Sequence, residues 1–402
     1  MHFLFLTFVA GMSTSFGINW FYLTGSLSVF DIFVPFFLLI LYIQAPHTKF
    51  KVDSILLVLL GLALIAGGST VMSLLSSQTP ASNPLYFVRS LFFVLVYLLI
   101  LSWPVSRNHI VMGVFAGMLV SILIAIYVWT TAPRFFAFTS IPMMHVLDSP
   151  SGLRINRNQI GFCSSLAFLI PAYSFLYEDL MSRKKSLVLA FFLAIFTILT
   201  FSKGAWLILL IGTIGLVLLR YKAIKSALRL SALLSAGLLV FAVPNTLQNS
   251  IMERFANSGH TNDFRLEYIK NAIDIGAKFP VFGIGPGNYG VVSSKPEYAT
   301  TIDPHNAYLQ TFAEYGIFAL LFVLLLYTVG FWQCFRHRKH DKLSNLILIV
   351  LFCLFIDGFV SGLSLSSKYL YIFLGLLVAG RSGRSAIEIS STAHRTLGNA
   401  KS

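Results

Sequence analysis

The chain has 402 residues, of which 56% are hydrophobic and only 11% charged, where a soluble domain carries roughly a quarter charged residues. That balance excludes an ordinary soluble enzyme and predicts an all-α polytopic membrane protein forming one transmembrane domain over residues 1–402. The formal net charge of +14 does not predict a nucleic-acid partner, because the basic residues collect mainly in alternate connections between apolar runs.

Apolar runs of membrane-spanning length fall at 2–20, 28–44, 54–74, 86–103, 110–131 and 159–177, then at 187–202, 205–219, 231–243, 307–335, 345–361 and 368–380. They predict about twelve transmembrane helices. The chain starts apolar, without a basic n-region, and is read as beginning with a retained span. Lys49, Lys51, Arg107, Arg183, Lys184, Lys185 and the basic group from Arg336 to Lys342 lie on one side of this map. By the positive-inside rule that side is cytoplasmic, with both termini there and 381–402 a flexible cytoplasmic tail. The three cysteines, Cys163, Cys334 and Cys353, lie in or beside apolar runs without ligand or disulfide spacing. They read as small buried hydrophobes.

The opposite side carries cations that the rule does not explain. Arg89 opens a span and has the length to snorkel. Arg154 and Arg157 fall just before the run at 159–177, and Lys203 sits in the tight turn Phe201 to Trp206. Singly, each reads as an interfacial side chain; together they suit an anionic ligand. The same side holds one long polar loop, 244–306. Within it, 263–276 has helical periodicity, with Leu266, Ile269 and Ile273 on one stripe and Glu267, Lys270 and Asp274 opposite. Such a helix would lie on the membrane surface or over a cavity. Residues 279–290 are rich in glycine and proline and read as a loop. No strand precedes them and no Gly-Lys-Ser/Thr follows, which excludes a nucleotide-binding loop.

Asp303-Pro304-His305-Asn306 predicts a helix start, with Asp303 as N-cap and Pro304 first in the helix. An outward N-terminus suits a phosphate and would keep His305 neutral and able to accept a proton. A lone histidine at a helix start is more often a surface residue, but here cations and a long loop converge on it. The remaining charges of note, Asp31 and Asp357, lie inside spans and are functional suspects by position. With no outer His/Cys/Asp cluster, neither a metal nor another cofactor is expected.

Gly283-Ile-Gly-Pro-Gly-Asn-Tyr-Gly290, followed by Pro304-His305-Asn306-Ala-Tyr-Leu-Gln310 and Glu314-Tyr-Gly316, resembles the O-antigen ligase and polymerase superfamily of bacterial membrane glycosyltransferases. Arg154 to Asn158, Ser202 to Ala205 and Arg265 support the likeness. Family members often have arginine where Lys203 stands, so a bidentate phosphate grip is lost there. The resemblance implies a bacterial inner-membrane enzyme with its active site on the periplasmic face. It implies transfer of a glycan from an undecaprenyl pyrophosphate carrier to a lipid A-core or glycan acceptor, by inversion and without metal. His305 would be the catalytic base, with Arg154, Arg157, Lys203, Arg265 and Asn306 binding substrate. A repeat-unit polymerase of the same superfamily is the first alternative. A multi-span transporter or flippase for an anionic or lipid-linked solute is the second, although no internal repeat is visible.

Overall fold

The computed structural model describes residues 5–7, 9–10, 13, 17–18, 43, 52–82, 85–103, 105–131, 146–148, 153–177, 179–200, 202–219, 258–298, 304–360 and 368–379. The expected span 231–243, the tail 381–402, Asp31 and Asp303 lie outside them, as do most of the span 2–20 and all of the span 28–44 but Ile43.

A short strand β1 (Gly17–Ile18) is followed by helices α1 (Ser54–Leu75), α2 (Leu85–Ser102) and α3 (Arg107–Thr131). Strands β2 (Val146–Asp148) and β3 (Leu153–Asn156) come next, then α4 (Arg157–Tyr177), α5 (Arg183–Leu199) and α6 (Lys203–Leu219). The chain continues with α7 (Ser258–Lys278), the single turn α8 (Tyr289–Ser293), α9 (Ala307–His337), α10 (Leu343–Val360) and α11 (Lys368–Ala379). Among the described residues five helices, α1, α3, α4, α9 and α10, are long and apolar enough to cross a membrane, and α6, α11 and the second part of α2 are shorter apolar helices. The architecture is that of a helical polytopic membrane protein. A small antiparallel sheet in the order β1-β3-β2 departs from the all-helical expectation. It pairs Arg154 with Gly17 on one side and with Asp148 on the other.

Helix α4 is the centre of the bundle. Its apolar stretch is 94% buried, against 39–50% for α1, α3 and α9, whose remaining surface exposes leucine, valine and phenylalanine, as a lipid-facing surface requires. Small residues let neighbours approach α4 closely. Gly161 packs under the turn at Thr200–Ala205, and Thr197 of α5 donates to Ser164 at 2.9 Å. At one end of the bundle, polar groups tie helix ends together. Asp53 caps α1 by accepting from Ile55 and Leu56 N–H groups and also accepts the Tyr97 hydroxyl. Arg107, opening α3, grips Asp341 before α10 with both Nη atoms, at 2.7 and 2.8 Å.

Helix α9 is not the straight span that hydropathy predicts. Gly316 has φ 85° and ψ −179°, which no helix contains. A straight helix would separate Tyr308 from Tyr327 by about 28 Å along its axis, yet their rings stand 6.5 Å apart and both pack on Phe355. The chain therefore doubles back at Gly316. Residues 307–315 form a short arm folded against the longer arm 317–337, which alone is roughly 30 Å long and matches a bilayer core. Irregular backbone at membrane depth survives only where protein satisfies its polar groups. Here the glycine-rich segment does so. Ile317 N–H donates to Pro280 O at 2.8 Å, Ile284 N–H to Ala313 O at 2.9 Å and Gly285 N–H to Glu314 O at 3.0 Å.

Candidate functional site

The helix start lies three residues later than the sequence predicts. Asn306 is the N-cap of α9, its Oδ1 accepting from Tyr308 N–H at 3.1 Å and Leu309 N–H at 3.0 Å. Pro304 and His305 precede the helix, so His305 is not in its first turn. The reason is competition between caps: an amide oxygen two or three residues ahead of the free N–H groups satisfies them directly. His305 is exposed and has φ 49°, the left-handed region. Histidine, asparagine and aspartate enter that region more readily than other side chains, and such backbone outliers gather at functional sites. Because the arm 307–315 folds back from Gly316, Tyr308, three residues after His305, lies against the α10 aromatics. Tyr308 donates to the Phe355 carbonyl at 2.8 Å and its ring lies 4.6 Å from Phe359.

Two of the predicted cations open helices at this same end. Arg157 is the first residue of α4 and is only 6% exposed. The strand β3 runs straight into α4, and Asn156 Oδ1 caps it by accepting from Asn158 N–H at 2.8 Å. Four residues on, and so on the same helix face, Gly161 meets Thr200, Ser202 and Ala205. That contact sets Arg157 beside the turn that carries Lys203. Lys203 is itself the first residue of α6 and exposed, while Ser202 before it is buried. Gly204 faces Val360 at the end of α10, the residue after Phe359. A chain of contacts thus links Arg157, the Lys203 turn, the end of α10 and the start of α9. Each of α4, α6 and α9 turns its N-terminus, with the positive dipole end, to this region.

The other predicted residues are placed less closely. Arg154 stands on β3, two strand residues before α4. Arg265 is exposed on α7, which packs on α9 through Gly276 against Phe312 and through Ala272 and Ile275 beside Ala313. The apolar stripe of α7 is not the face that meets α9. Leu266 and Ile273 are exposed, and Asn271, Ala272 and Ile275 form the buried face. Small residues occupy that face because the α9 arm approaches it closely, as the Gly276–Phe312 contact shows. The helix is also longer than predicted, from Ser258 to Lys278. At its end the Lys278 ammonium donates to the Tyr298 hydroxyl at 2.6 Å. That hydrogen bond raises the Lys278 pKa above the usual lysine value, with Glu297 adding to it.

Three supporting residues, two of them inside the quoted motifs, were given no role of their own in the sequence reading. Ser69 Oγ of α1 lies 2.6 Å from the Phe282 carbonyl and 3.0 Å from the Glu314 carbonyl. Asn288 donates to the carbonyls of Pro80 and Ile284, and buried Glu314 accepts from Tyr289 N–H at 3.4 Å. The run Gly67-Gly68-Ser69-Thr70 inside an apolar span was the available signal for the first. Asp357, a suspect by position, is 2% exposed on the α10 face that meets α6 through Cys353 and Val360.

A search of curated proteins returns no match. A family model described as O-Antigen ligase matches residues 188–324, a stretch that takes in Lys203, Arg265, the glycine-rich loop, His305 and the turn at Gly316 but leaves Arg154 and Arg157 outside. Over that stretch, about a third of its length, the chain is similar to the O-antigen ligase family.

Proposed function

We propose that this membrane protein transfers a glycan from an undecaprenyl pyrophosphate carrier to a lipid A-core acceptor on the periplasmic face of the bacterial inner membrane. The observation that supports this reading is the chain of contacts from α4, which Arg157 opens, through the Lys203 turn and the end of α10 to Tyr308, three residues after His305. Pyrophosphate is a good leaving group whose departure mainly needs its negative charge stabilised. Arg157 and Lys203, with Arg154 and Arg265, supply that charge, and helix N-termini add backbone N–H donors. His305 takes the proton from the acceptor hydroxyl as its oxygen bonds to the anomeric carbon. The bond from that carbon to the pyrophosphate oxygen breaks, and its electron pair leaves with the pyrophosphate. One displacement of this kind inverts the anomeric configuration and needs no metal. Asn306 spends Oδ1 on its cap, so its part in binding would fall to the Nδ2 protons.

A discontinuous helix is also a feature of transporters, where unwound backbone coordinates the solute. In this bundle the groups freed at Gly316 are taken up by the glycine-rich loop, which favours the transferase. The test is transfer by purified full-length protein in nanodiscs, given an undecaprenyl pyrophosphate-linked glycan and, separately, a lipid A-core acceptor or a second lipid-linked repeat. Transfer to the lipid A-core, lost in His305→Ala with folding intact, is the expected result. Transfer only to the second repeat would make the protein a polymerase. Binding or translocation of the donor without transfer would make it a transporter, and retention of configuration would rule out the single displacement.

A further inference from the structure

Segment 258–287 is polar enough in sequence to be an aqueous loop, but its exposed surface is not aqueous in character. Leu266 is 67% exposed and Ile273 46% exposed, on a face of α7 that packs against nothing in the described structure. Val281 and Phe282, just beyond α7, are exposed as well. On the helix, the exposed Lys270 borders the Leu266–Ile273 stripe on one side, with Asp274 and Glu267 beyond it, and the exposed Arg265 borders it on the other. An apolar stripe bordered by cations is the pattern of a helix lying in a membrane interface.

The position of the loop along the bundle agrees. Phe282 packs on Gly68 of α1, where an added Cβ would stand 3.2 Å from its ring. Leu64 lies four residues before Gly68, and Val71, Met72 and Leu75 lie three, four and seven residues after it, all on the same helix face and all exposed. That apolar face continues about 10 Å beyond Phe282. Val281 overlies Gly316, and the longer arm of α9 exposes Phe318, Leu321 and Leu325 directly below. Phe282 and Val281 are thus inset in a continuous apolar surface shared with two membrane helices. Moreover, the loop backbone has its polar groups satisfied by α9 and Ser69 rather than by water, as hydrocarbon depth demands.

We infer that α7 and the following loop are seated in the bilayer interface, with Leu266, Ile273, Val281 and Phe282 in hydrocarbon and Arg265 and Lys270 at the level of the lipid phosphates. The inference rests on the chain spanning a membrane and not on any transfer reaction. Its consequence for a lipid-borne substrate is that Arg265 meets phosphate at the depth where the carrier presents it.

The test is spin labelling of the full chain in liposomes of phosphatidylethanolamine and phosphatidylglycerol. Single cysteines replace Leu266, Ile273, Val281, Glu267 and Asp274 in turn, with Leu64→Cys as an embedded reference; the three native cysteines are buried. Labels at 266, 273 and 281 are expected to collide with oxygen as the Leu64 label does and to be shielded from a water-soluble nickel chelate. Labels at 267 and 274 should show several-fold higher collision with the chelate. Chelate access at 266, 273 and 281 equal to that at 274 would overturn the inference, as would oxygen-like shielding at all five positions. Two positions on the stripe and one on the loop keep the result independent of any one variant that fails to fold.

Discussion

Gly283 and Glu314 approach so closely that a Cβ on Gly283 would overlap the Glu314 carbonyl, and Gly283 holds φ 67°. The contact joins the glycine-rich loop to the short arm of α9 just before it doubles back, and Gly285 N–H seals it with a hydrogen bond to the same carbonyl. Gly316 is matched in the same way, its missing Cβ replaced by the Val281 carbonyl. The two glycine motifs far apart in sequence are two sides of one joint. Alanine at Gly283 or Gly316 adds a left-handed backbone cost of roughly 1–2 kcal/mol to an overlap with backbone that has no room to move. Gly290 has no heavy atom within 4 Å of an added Cβ. Gly283→Ala and Gly316→Ala should therefore lower the unfolding temperature of detergent-purified protein and abolish glycan transfer, with Gly290→Ala close to wild type. Equal behaviour of the three would refute the joint.

The left-handed backbone of His305 separates its chemical role from its conformational one. Asparagine enters that region readily and glycine without penalty, so both replacements keep the chain path and remove the imidazole. If His305 is the base, His305→Asn and His305→Gly fold like wild type and lose turnover by at least about 100-fold. Retained turnover in His305→Asn would mean that the position needs only its backbone shape.

Asn306 can be dissected by the same logic, because its oxygen and its nitrogen do different work. Asn306→Ala removes the cap and should cost about 1 kcal/mol. Asn306→Asp keeps an accepting oxygen for the Tyr308 and Leu309 N–H groups but replaces the Nδ2 donors with negative charge. Stability near wild type with a large loss of transfer in Asn306→Asp would assign Nδ2 to substrate. Loss of stability in both variants, with transfer lost in proportion, would leave Asn306 as a cap alone.

Much of the bundle is legible in the sequence because each span carries its own evidence. The run 54–74 was bounded within a residue by its hydropathy, and Asp53 before it is the cap that fixes its start. The hairpin in α9 was hidden because hydropathy from 307 to 335 is continuous and one glycine in an apolar run is a weak break signal. What breaks the helix is a partner, the carbonyls of Pro280 and Val281, and no local window contains it. Likewise the periodicity of α7 marks its apolar stripe but not the face that packs on α9. Leu266 and Ile273 mark an apolar face, while the face against α9 is made of Asn271, Ala272 and Ile275; a pattern shows that a face is apolar without showing what it meets. Of the candidate site, the sequence offers residue types but not the packing routes between them. Arg157 reaches the Lys203 turn through Gly161, a residue with no chemistry of its own.

At the far end of the bundle, Arg107 offers a test in which pH has a definite sign. Its guanidinium grips Asp341 bidentately and also donates to the Leu376 carbonyl at 3.2 Å, so one side chain ties the starts of α3 and α10 to α11. Burial alone would push the Asp341 carboxyl up, but hydrogen bonding and charge from Arg107, with help from Ser344 and the Leu343 N–H, hold it below the usual aspartate value. A carboxyl lowered by folding stabilises the fold fully above its unfolded value, about 3.9, and loses that contribution as pH falls through the folded value beneath it. Asp341→Asn should therefore cost about 2 kcal/mol at neutral pH, in the range of a charged hydrogen-bonded pair. The gap from wild type should hold steady down to about pH 5 and close in stronger acid. Arg107→Lys keeps the charge but not the fork, and should lose part of the same stability with the same pH dependence. Unfolding midpoints of the purified protein measured across that range decide it: a gap that widened on acidification would show that Asp341 is not held in its charged form by Arg107.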